Sequence, residues 1–266
     1  VDLHIVMDVS APMGVGASAS DQTVMANSAS ALNCVFACHT NNVHYSIKTD
    51  TLAAVQALGV RTRMNVVRDA VIAELTQVKN ANAAGHVRVA LYAMSNSLTK
   101  IYPLSSDIAS AITAAANVEI TGAINQGGSN ISYSLQQLNA ELAASGTGLT
   151  AASPKGVVLL IASGVQNSNK IVDCSKAPTV DPKCSSGETD TMKDGAWLGQ
   201  ISPWKSFPAI AGAPILQPID PAYCAPIKSK GLRMLTLEVQ YVIPTVGSGI
   251  SEDRFDFIKS ILPTVA

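Results

Sequence analysis

Residues 2–14 have the sequence DLHIVMDVSAPMG, and this stretch decides the fold class. Its first six residues are mostly apolar and predict a short buried strand, and Asp8 and Ser10 follow where that strand ends. Ligands of an open α/β sheet bind outside the carboxyl ends of the strands, where loops leave the core. A carboxylate followed by a hydroxyl at such a position therefore predicts a site on an α/β sheet.

Strands and helices alternate along the rest of the chain, which predicts a mostly parallel sheet with helices on both faces. We expect strands at residues 2–9, 87–94, 98–102, 156–162 and 232–241. Helical spacing of apolar residues predicts helices over 63–79, from a cap at Ser105 or Ser106 (with Asp107 in the first turn) through about 116, over about 130–144, and from near Ser251. We expect one domain over residues 1–266, with polar insertions at about 15–50 and 164–218.

The composition favours a globular protein that does not bind nucleic acid. Hydrophobic residues make up 47% of the 266, enough for a real core, whereas the charged fraction of 14% is low for a soluble domain. The surface must then rely on Ser, Thr, Asn and Gln, which suits a protein outside the cytoplasm. The net charge is −1, and the Lys and Arg residues are scattered rather than clustered, so nothing indicates a nucleic-acid surface.

Membrane segments and targeting signals are not evident. No apolar run reaches the roughly 18 residues that cross a bilayer. The chain starts at Val1, one residue before a predicted strand, and we interpret it as a mature or trimmed chain whose targeting segment is absent.

The five cysteines form two close groups and one outlier. Cys34 and Cys38 lie in the first insertion, and Cys174 and Cys184 lie in the second, both in polar segments. Short-range pairs in loops predict disulfides made in an oxidising compartment, with Cys224 outside both pairs. Two alternatives stay open: Cys224 replaces Cys184 as the partner of Cys174, or all five are reduced cytosolic thiols.

The opening stretch resembles the first metal loop of a von Willebrand factor A domain, whose pattern is Asp-x-Ser-x-Ser. Asp8 and Ser10 match this pattern, but Pro12 replaces the second serine. The resemblance implies a second loop in which Ser129 stands in place of a threonine. It also implies a third loop in which Ser163 stands in place of an aspartate.

These replacements predict a degenerate magnesium site. A hard dication gains most of its protein affinity from carboxylates, and this site keeps one carboxylate and loses one hydroxyl ligand. We expect Asp8, Ser10 and Ser129 to cluster at the carboxyl edge of the sheet, with no tightly bound cofactor and at most weakly bound Mg²⁺. The alternative role of Asp8 and Ser10 is to hydrogen-bond the backbone of neighbouring loops.

Four short blocks resemble the TadG-like von Willebrand A proteins of bacterial tight-adherence (Flp-type) pilus systems. They are CVFACH at 34–39, RTRMNVVRDA at 61–70, PAYCAPIKSKG at 221–231 and YVIP at 241–244. The resemblance implies a non-enzymatic protein-binding or adhesion domain at the bacterial cell surface or pilus. Its partners would be pilus or cell-envelope proteins, its location extracytoplasmic, and a membrane anchor would precede this chain.

Two other functions are alternatives to protein binding. A metal-dependent adhesin would use the magnesium ion at Asp8, Ser10 and Ser129 to grip an acidic side chain of its partner. A phosphohydrolase needs a second acid two residues after the first, where Ser10 stands, and no nucleophile motif is present. We interpret His4 as a partly buried structural residue rather than a catalytic base.

Two tryptophans in the second insertion are candidates for contact with a partner. Trp197 and Trp204 either pack this insertion onto the body of the domain or form the contact, since aromatic residues are enriched at interface hot spots.

Overall fold

The computed structural model describes residues 1–31, 33–35, 39, 51–82, 85–95, 97–120, 129–163, 165–168, 215–218, 221–239 and 242. Within these, the strands are β1 (Asp2–Asp8), β2 (Arg88–Met94), β3 (Leu98–Ser105), β4 (Gly156–Ala162), β5 (Val165–Ser168), β6 (Ile215–Pro218) and β7 (Arg233–Glu238). The α-helices are α1 (Ala19–Ala26), α2 (Thr51–Ala57), α3 (Arg63–Ala81), α4 (Ile108–Ala116), α5 (Ile131–Glu141) and α6 (Ala225–Ser229). Short 3-10 turns lie at Ala11–Gly14, Ala29–Ala31 and Pro221–Cys224.

Five of the described strands form one sheet in the order β3-β2-β1-β4-β7. β1 pairs in parallel with both β2 and β4, β4 pairs in parallel with β7, and β3 runs antiparallel to β2. The central strands β1 and β4 are near-continuous apolar runs because parallel strands in this position are covered on both faces. The five predicted strands are confirmed, and the fold is a mixed α/β sheet consistent with a Rossmann-like arrangement.

Helices cover both faces of this sheet, and the alternation of side chains along β1 explains how. Ile5 and Met7 belong to a buried cluster with α3 and α4, whereas Val6 belongs to a second cluster with α5 and α6. Successive side chains of a strand point to opposite faces, so one apolar strand supplies both halves of the core. The expected two-sided cover is thereby confirmed.

The start of α3 is fixed by a reciprocal cap between Thr62 and Asn65. The Thr62 hydroxyl accepts the backbone N–H of Asn65, and the Asn65 side chain accepts the backbone N–H of Thr62. This arrangement satisfies two donors that a helix end leaves without intrahelical partners. The predicted helix over 63–79 is confirmed and continues to Ala81.

The predicted cap of α4 is wrong, because Asp107 takes that position instead of Ser105 or Ser106. The Asp107 carboxylate accepts the backbone N–H of Ser110 at 3.1 Å. Hydrogen bonds from Ser110 hold the pKa of Asp107 below its ordinary value. Ser105 is still part of β3, and its hydroxyl accepts the Asp107 N–H at 3.1 Å, so the helix begins later than its serines suggested.

The helix α5 ends at Glu141, three residues before the predicted end, and a lysine from the other end of the chain caps it. Lys230 Nζ donates to the carbonyl oxygens of Asn139 and Leu142. These belong to the last carbonyls of a helix, which have no partner within it. The loop between α6 and β7 therefore fastens the end of α5.

Both expected insertions contain some regular structure. The first holds α1, whose start is fixed by a cap between Ser18 and Asp21. At the two ends of the second, β5 and β6 form a separate antiparallel pair, from Val165 opposite Pro218 to Ser168 opposite Ile215. No helix within the described residues combines the length and the apolar character that crossing a membrane requires.

Candidate functional site

The carboxyl ends of β1, β2 and β4 meet at one edge of the sheet. From β1 the chain first passes to β2 on one side and later to β4 on the other, so the strand order reverses at β1. In open α/β sheets this point is where loops diverge and a crevice forms. Asp8 is the last residue of β1 and lies at this point.

The Asp8 carboxylate is fully buried and accepts four hydrogen bonds. Oδ1 accepts the backbone N–H of Ser10 at 2.9 Å and its hydroxyl at 2.5 Å. Oδ2 accepts the backbone N–H of Ser163 at 3.1 Å and the hydroxyl of Ser129 at 3.4 Å. The structure thus brings Asp8, Ser10 and Ser129 together, and it adds Ser163 to them.

Each partner of Asp8 is positioned by a different loop. Ser10 opens the 3-10 turn Ala11–Gly14, with Pro12 buried within that turn. Ser129 precedes α5, and the next residue, Asn130, donates its backbone N–H to the Ser95 carbonyl at 2.7 Å, just after β2. Ser163 directly follows β4. Three loops therefore converge on one carboxylate.

The negative charge of Asp8 is met by dipoles of the polypeptide. Two backbone N–H groups and two hydroxyls donate to it, and α5 begins two residues after Ser129. The N-terminus of a helix carries a partial positive charge that favours a nearby anion. Hydrogen bonds of this kind are what make a buried carboxylate tolerable.

The same hydrogen bonds argue against a fit for magnesium. A carboxylate has about four lone-pair positions, and four donors of this chain occupy those of Asp8. Mg²⁺ needs oxygen ligands that are open to it, and usually one or two carboxylates among them. No group of three His, Cys, Asp or Glu residues that could hold a metal occurs within the described residues. As folded here, the residues present do not fit the ion, and Ser163 contributes a backbone donor at the position where the metal pattern that the sequence resembles has an aspartate.

The surroundings of Asp8 also bear on the hydrolase alternative. A nucleophilic carboxylate must be reached by its substrate and activated by a neighbouring group. Asp8 is enclosed, and the residue two positions after it is a serine already bonded to it. His4 lies on the same strand four residues before Asp8, largely buried, with its Nδ1 3.5 Å from the Tyr92 hydroxyl. The predicted burial of His4 is confirmed, and its structural rather than catalytic role stays a prediction.

The sequence does not predict the role of two long polar side chains that lie behind the first loop. The buried Arg63 guanidinium donates to the carbonyl of Pro12 and to that of Val239, just past β7. Gln22 Nε2 donates to the carbonyls of Gly16 at 3.2 Å and Val242 at 2.7 Å. These side chains hold the first loop against the segment that follows β7. Their partners are main-chain carbonyls, which leave no signal in the sequence.

The described residues contain two of the five cysteines. Cys34 is disulfide-bonded, and its carbonyl lies 2.7 Å from Nε2 of the buried His39. Cys224 is present as a half-buried thiol. Cys38, Cys174 and Cys184 lie outside the described residues, so the pairing within the insertions stays a prediction.

The two tryptophans of the second insertion are expected either to pack it onto the domain or to contact a partner. Trp197 and Trp204 lie outside the described residues, and their role stays a prediction.

The chain is similar to several solved structures, but with low sequence identities and low TM-scores. No protein-family model matches the chain, and no curated protein sequence matches it. The conserved hypothetical protein BatB from Bacteroides thetaiotaomicron is 11% identical, with a TM-score of 0.39, over 100% of this chain and 98% of that one.

Two further solved structures are similar at the same level. An aerotolerance-related membrane protein from Bacteroides fragilis is 14% identical, with a TM-score of 0.38, over 99% of both chains. The pilus adhesin SpaC from Lactobacillus rhamnosus GG is 18% identical, with a TM-score of 0.35, over 65% of this chain and 16% of its own. TM-scores below 0.5 at these identities leave the function to be argued from the chain itself.

Proposed function

We propose that this chain is a von Willebrand A-like domain that binds a protein partner and carries out no chemistry. We further propose that it belongs to the TadG-like proteins of a tight-adherence pilus apparatus, as the four sequence blocks imply. Its partners are then pilus or cell-envelope proteins, its location is extracytoplasmic, and a membrane anchor precedes Val1 in the natural protein.

The observation that carries this proposal is the state of Asp8. In an α/β sheet of this order, the reversal point is where a reactive or metal-binding group would be expected. Here that position holds a carboxylate that is enclosed and saturated by Ser10, Ser129 and Ser163. An acid used in this way fastens three loops and leaves their outer surface available for recognition. Rigid loops presented by a sheet edge are a common basis for binding.

A binding experiment tests the proposal directly. The purified chain would be immobilised, and purified pilin and envelope proteins of the tight-adherence system of its source organism would be passed over it. We expect saturable binding of at least one component, unchanged when EDTA replaces Mg²⁺, and no hydrolysis of a phosphate monoester under the same conditions. If every component fails to bind, the tight-adherence assignment is wrong.

One result would favour the metal-dependent adhesin instead. The convergence of Asp8, Ser10 and Ser129 is the feature that keeps this alternative worth testing. Binding that disappears in EDTA, and is abolished by Asp8→Ala in a variant that still folds, would support it over the metal-free proposal.

A further inference from the structure

A second candidate site lies away from Asp8, in a polar groove between the end of α2 and the start of α3. The groove has a volume of about 410 Å³. Its chemistry-bearing walls, which we call the α2–α3 groove, are Gln56, Arg61, Asn65, Arg68 and Asp69. Neither the proposed function nor the von Willebrand A resemblance assigns these residues a role.

The shape of the groove depends on the turn that ends α2. Gly59 adopts a φ of +73°, which other residues rarely tolerate, and its backbone N–H bonds the Gln56 carbonyl at 2.9 Å. The turn brings the chain around to Arg61 and into α3. Arg61 directly precedes the Thr62 cap of α3, and its guanidinium reaches the Asp69 carboxylate two turns into the helix. Asn65 lies between them, three residues before Arg68 and four before Asp69, which is the spacing of neighbours on a helix surface.

The Arg68 side chain is held in place within the groove. Its Nη1 donates to the carbonyl of Val118 at 3.0 Å and to the carboxylate of Glu119 at 3.1 Å. Gln56 donates to the same Glu119 oxygen at 3.2 Å. Among the described residues, the other guanidinium donors of Arg68 have no partner, although its position is fixed by these contacts.

The Arg61 side chain is held much more weakly. Its Nη2 pairs with the Asp69 carboxylate at 2.5 Å, but the two side chains are 59% and 61% exposed. An ion pair this exposed contributes at most about 1 kcal/mol, so Arg61 can exchange Asp69 for another carboxylate at little cost.

The groove therefore offers more donors than acceptors. Asn65 Oδ1 already accepts the backbone N–H and the hydroxyl of Thr62. The amide nitrogen of Asn65 is therefore the atom that can donate to a ligand. Both acceptor carboxylates, Asp69 and Glu119, are engaged by an arginine. A ligand that brings its own carboxylates would satisfy the remaining donors.

We propose that the α2–α3 groove binds an acidic segment of a protein partner, with Arg61 and Arg68 as the recognising groups. Arginine suits this role because its planar fork can donate two parallel hydrogen bonds to one carboxylate. The inference rests on the proposed function only for the origin of the acidic segment. Recognition here is direct and requires no metal.

A peptide titration followed by NMR tests the groove itself. Oligoglutamate added to the isotope-labelled chain should shift the backbone amide signals of Arg61, Asn65 and Arg68 in a saturable way, while oligoglutamine should not. Arg61→Gln should weaken the binding by about tenfold or more, because it removes a charged donor. Asp69→Asn should strengthen it by about twofold to fivefold, because it releases Arg61 from a competing carboxylate.

Lys79→Gln provides the matched control. It changes the net charge by the same amount and lies exposed in the last turn of the same helix. If Lys79→Gln weakens oligoglutamate binding as much as Arg61→Gln does, the attraction is a general charge effect and the groove proposal is overturned. Absence of any saturable shift overturns it as well.

The groove and the proposed function can fail separately. If a pilus or envelope protein binds the chain but Arg61→Gln and Asp69→Asn leave its affinity unchanged, the groove inference is wrong and the function stands. If oligoglutamate binds with the expected variant pattern while every such protein fails to bind, the groove stands and the function is wrong.

Discussion

Ser163 donates its backbone N–H to the Asp8 carboxylate at 3.1 Å, across 155 positions of sequence. This one contact fastens the end of β4 to the end of β1. Residue 163 therefore acts as a hydrogen-bond donor to Asp8, whereas in a metal site it would be a ligand of the ion. The metal-site pattern that the first loop resembles has a carboxylate there, whereas this chain presents a donor to the carboxylate it already has.

Asp8→Asn is expected to lower the free energy of unfolding by about 2–4 kcal/mol. The substitution keeps the shape of the side chain but removes its charge. It also replaces one carboxylate oxygen, which accepts two hydrogen bonds, by an amide NH2 group that can only donate. Urea denaturation of both proteins would measure the difference. Asp69→Asn is the control, since that exposed carboxylate should matter by about 0.5 kcal/mol or less. An Asp8→Asn protein as stable as the wild type would show that the four hydrogen bonds contribute nothing net.

The wild-type chain is expected to give no heat of magnesium binding in calorimetry, because donors of the chain occupy the Asp8 oxygens. Pro12→Ser combined with Ser163→Asp should create binding, since it restores a hydroxyl and a second carboxylate at the same edge. Without metal, this double variant should be less stable than the wild type, as two carboxylates would then face each other. Magnesium should raise its Tm. A folded double variant that binds no magnesium would contradict the loop arrangement. Micromolar magnesium binding by the wild type would contradict the inference that donors of the chain block the Asp8 oxygens.

Lys230→Met is expected to destabilise the fold by about 1–3 kcal/mol, because the last carbonyls of α5 lose a charged donor. Methionine keeps most of the apolar stem, so packing changes little. Lys228→Met, two residues earlier and exposed, should change the unfolding free energy by about 0.5 kcal/mol or less. Equal effects of the two substitutions in thermal or urea unfolding would rule out the capping role.

His4 is expected to make the domain less stable as the pH falls. Burial lowers the pKa of His4 below its ordinary value of 6.5, so the folded state takes up its proton less readily than the unfolded state. The unfolding free energy should therefore fall as the pH drops below about 6.5, by at most about 1.4 kcal/mol per pH unit from this group. Unfolding curves between neutral and mildly acidic pH should show a shallower dependence for His4→Phe. The same slope in both proteins would exclude His4 as the cause.

Much of the fold could be predicted because its strands have a strong pattern. β1 and β4 are apolar runs with sharp polar ends, and α3 has regular apolar spacing with a capping threonine. The cluster of Asp8, Ser10 and Ser129 was also predictable, because parallel strands end at a common edge. Both the fold and this cluster follow from residue type and position in the sequence.

The contacts that complete the site could not be predicted, because they involve main-chain groups that nearly every residue type has. Ser163 acts through its backbone N–H, and every residue except proline has one. Arg63 is fully buried although arginine is normally exposed, and both of its partners are main-chain carbonyls distant in sequence. The start of α4 was misplaced because three successive polar residues could each cap a helix, and the extent of β3 decided among them.

The central place of β1 has a consequence for how the chain reaches its folded state. Its neighbours in the sheet, β2 and β4, begin only at Arg88 and Gly156, so β1 must wait for distant segments before either of its edges is paired. Sheets built from such distant pairings form slowly, and the open edges of the intermediates are prone to aggregate. A fragment that stops before Gly156 lacks one whole side of its central strand. We expect half-length fragments to associate with one another rather than fold, which sets a lower limit on how far this domain can be shortened.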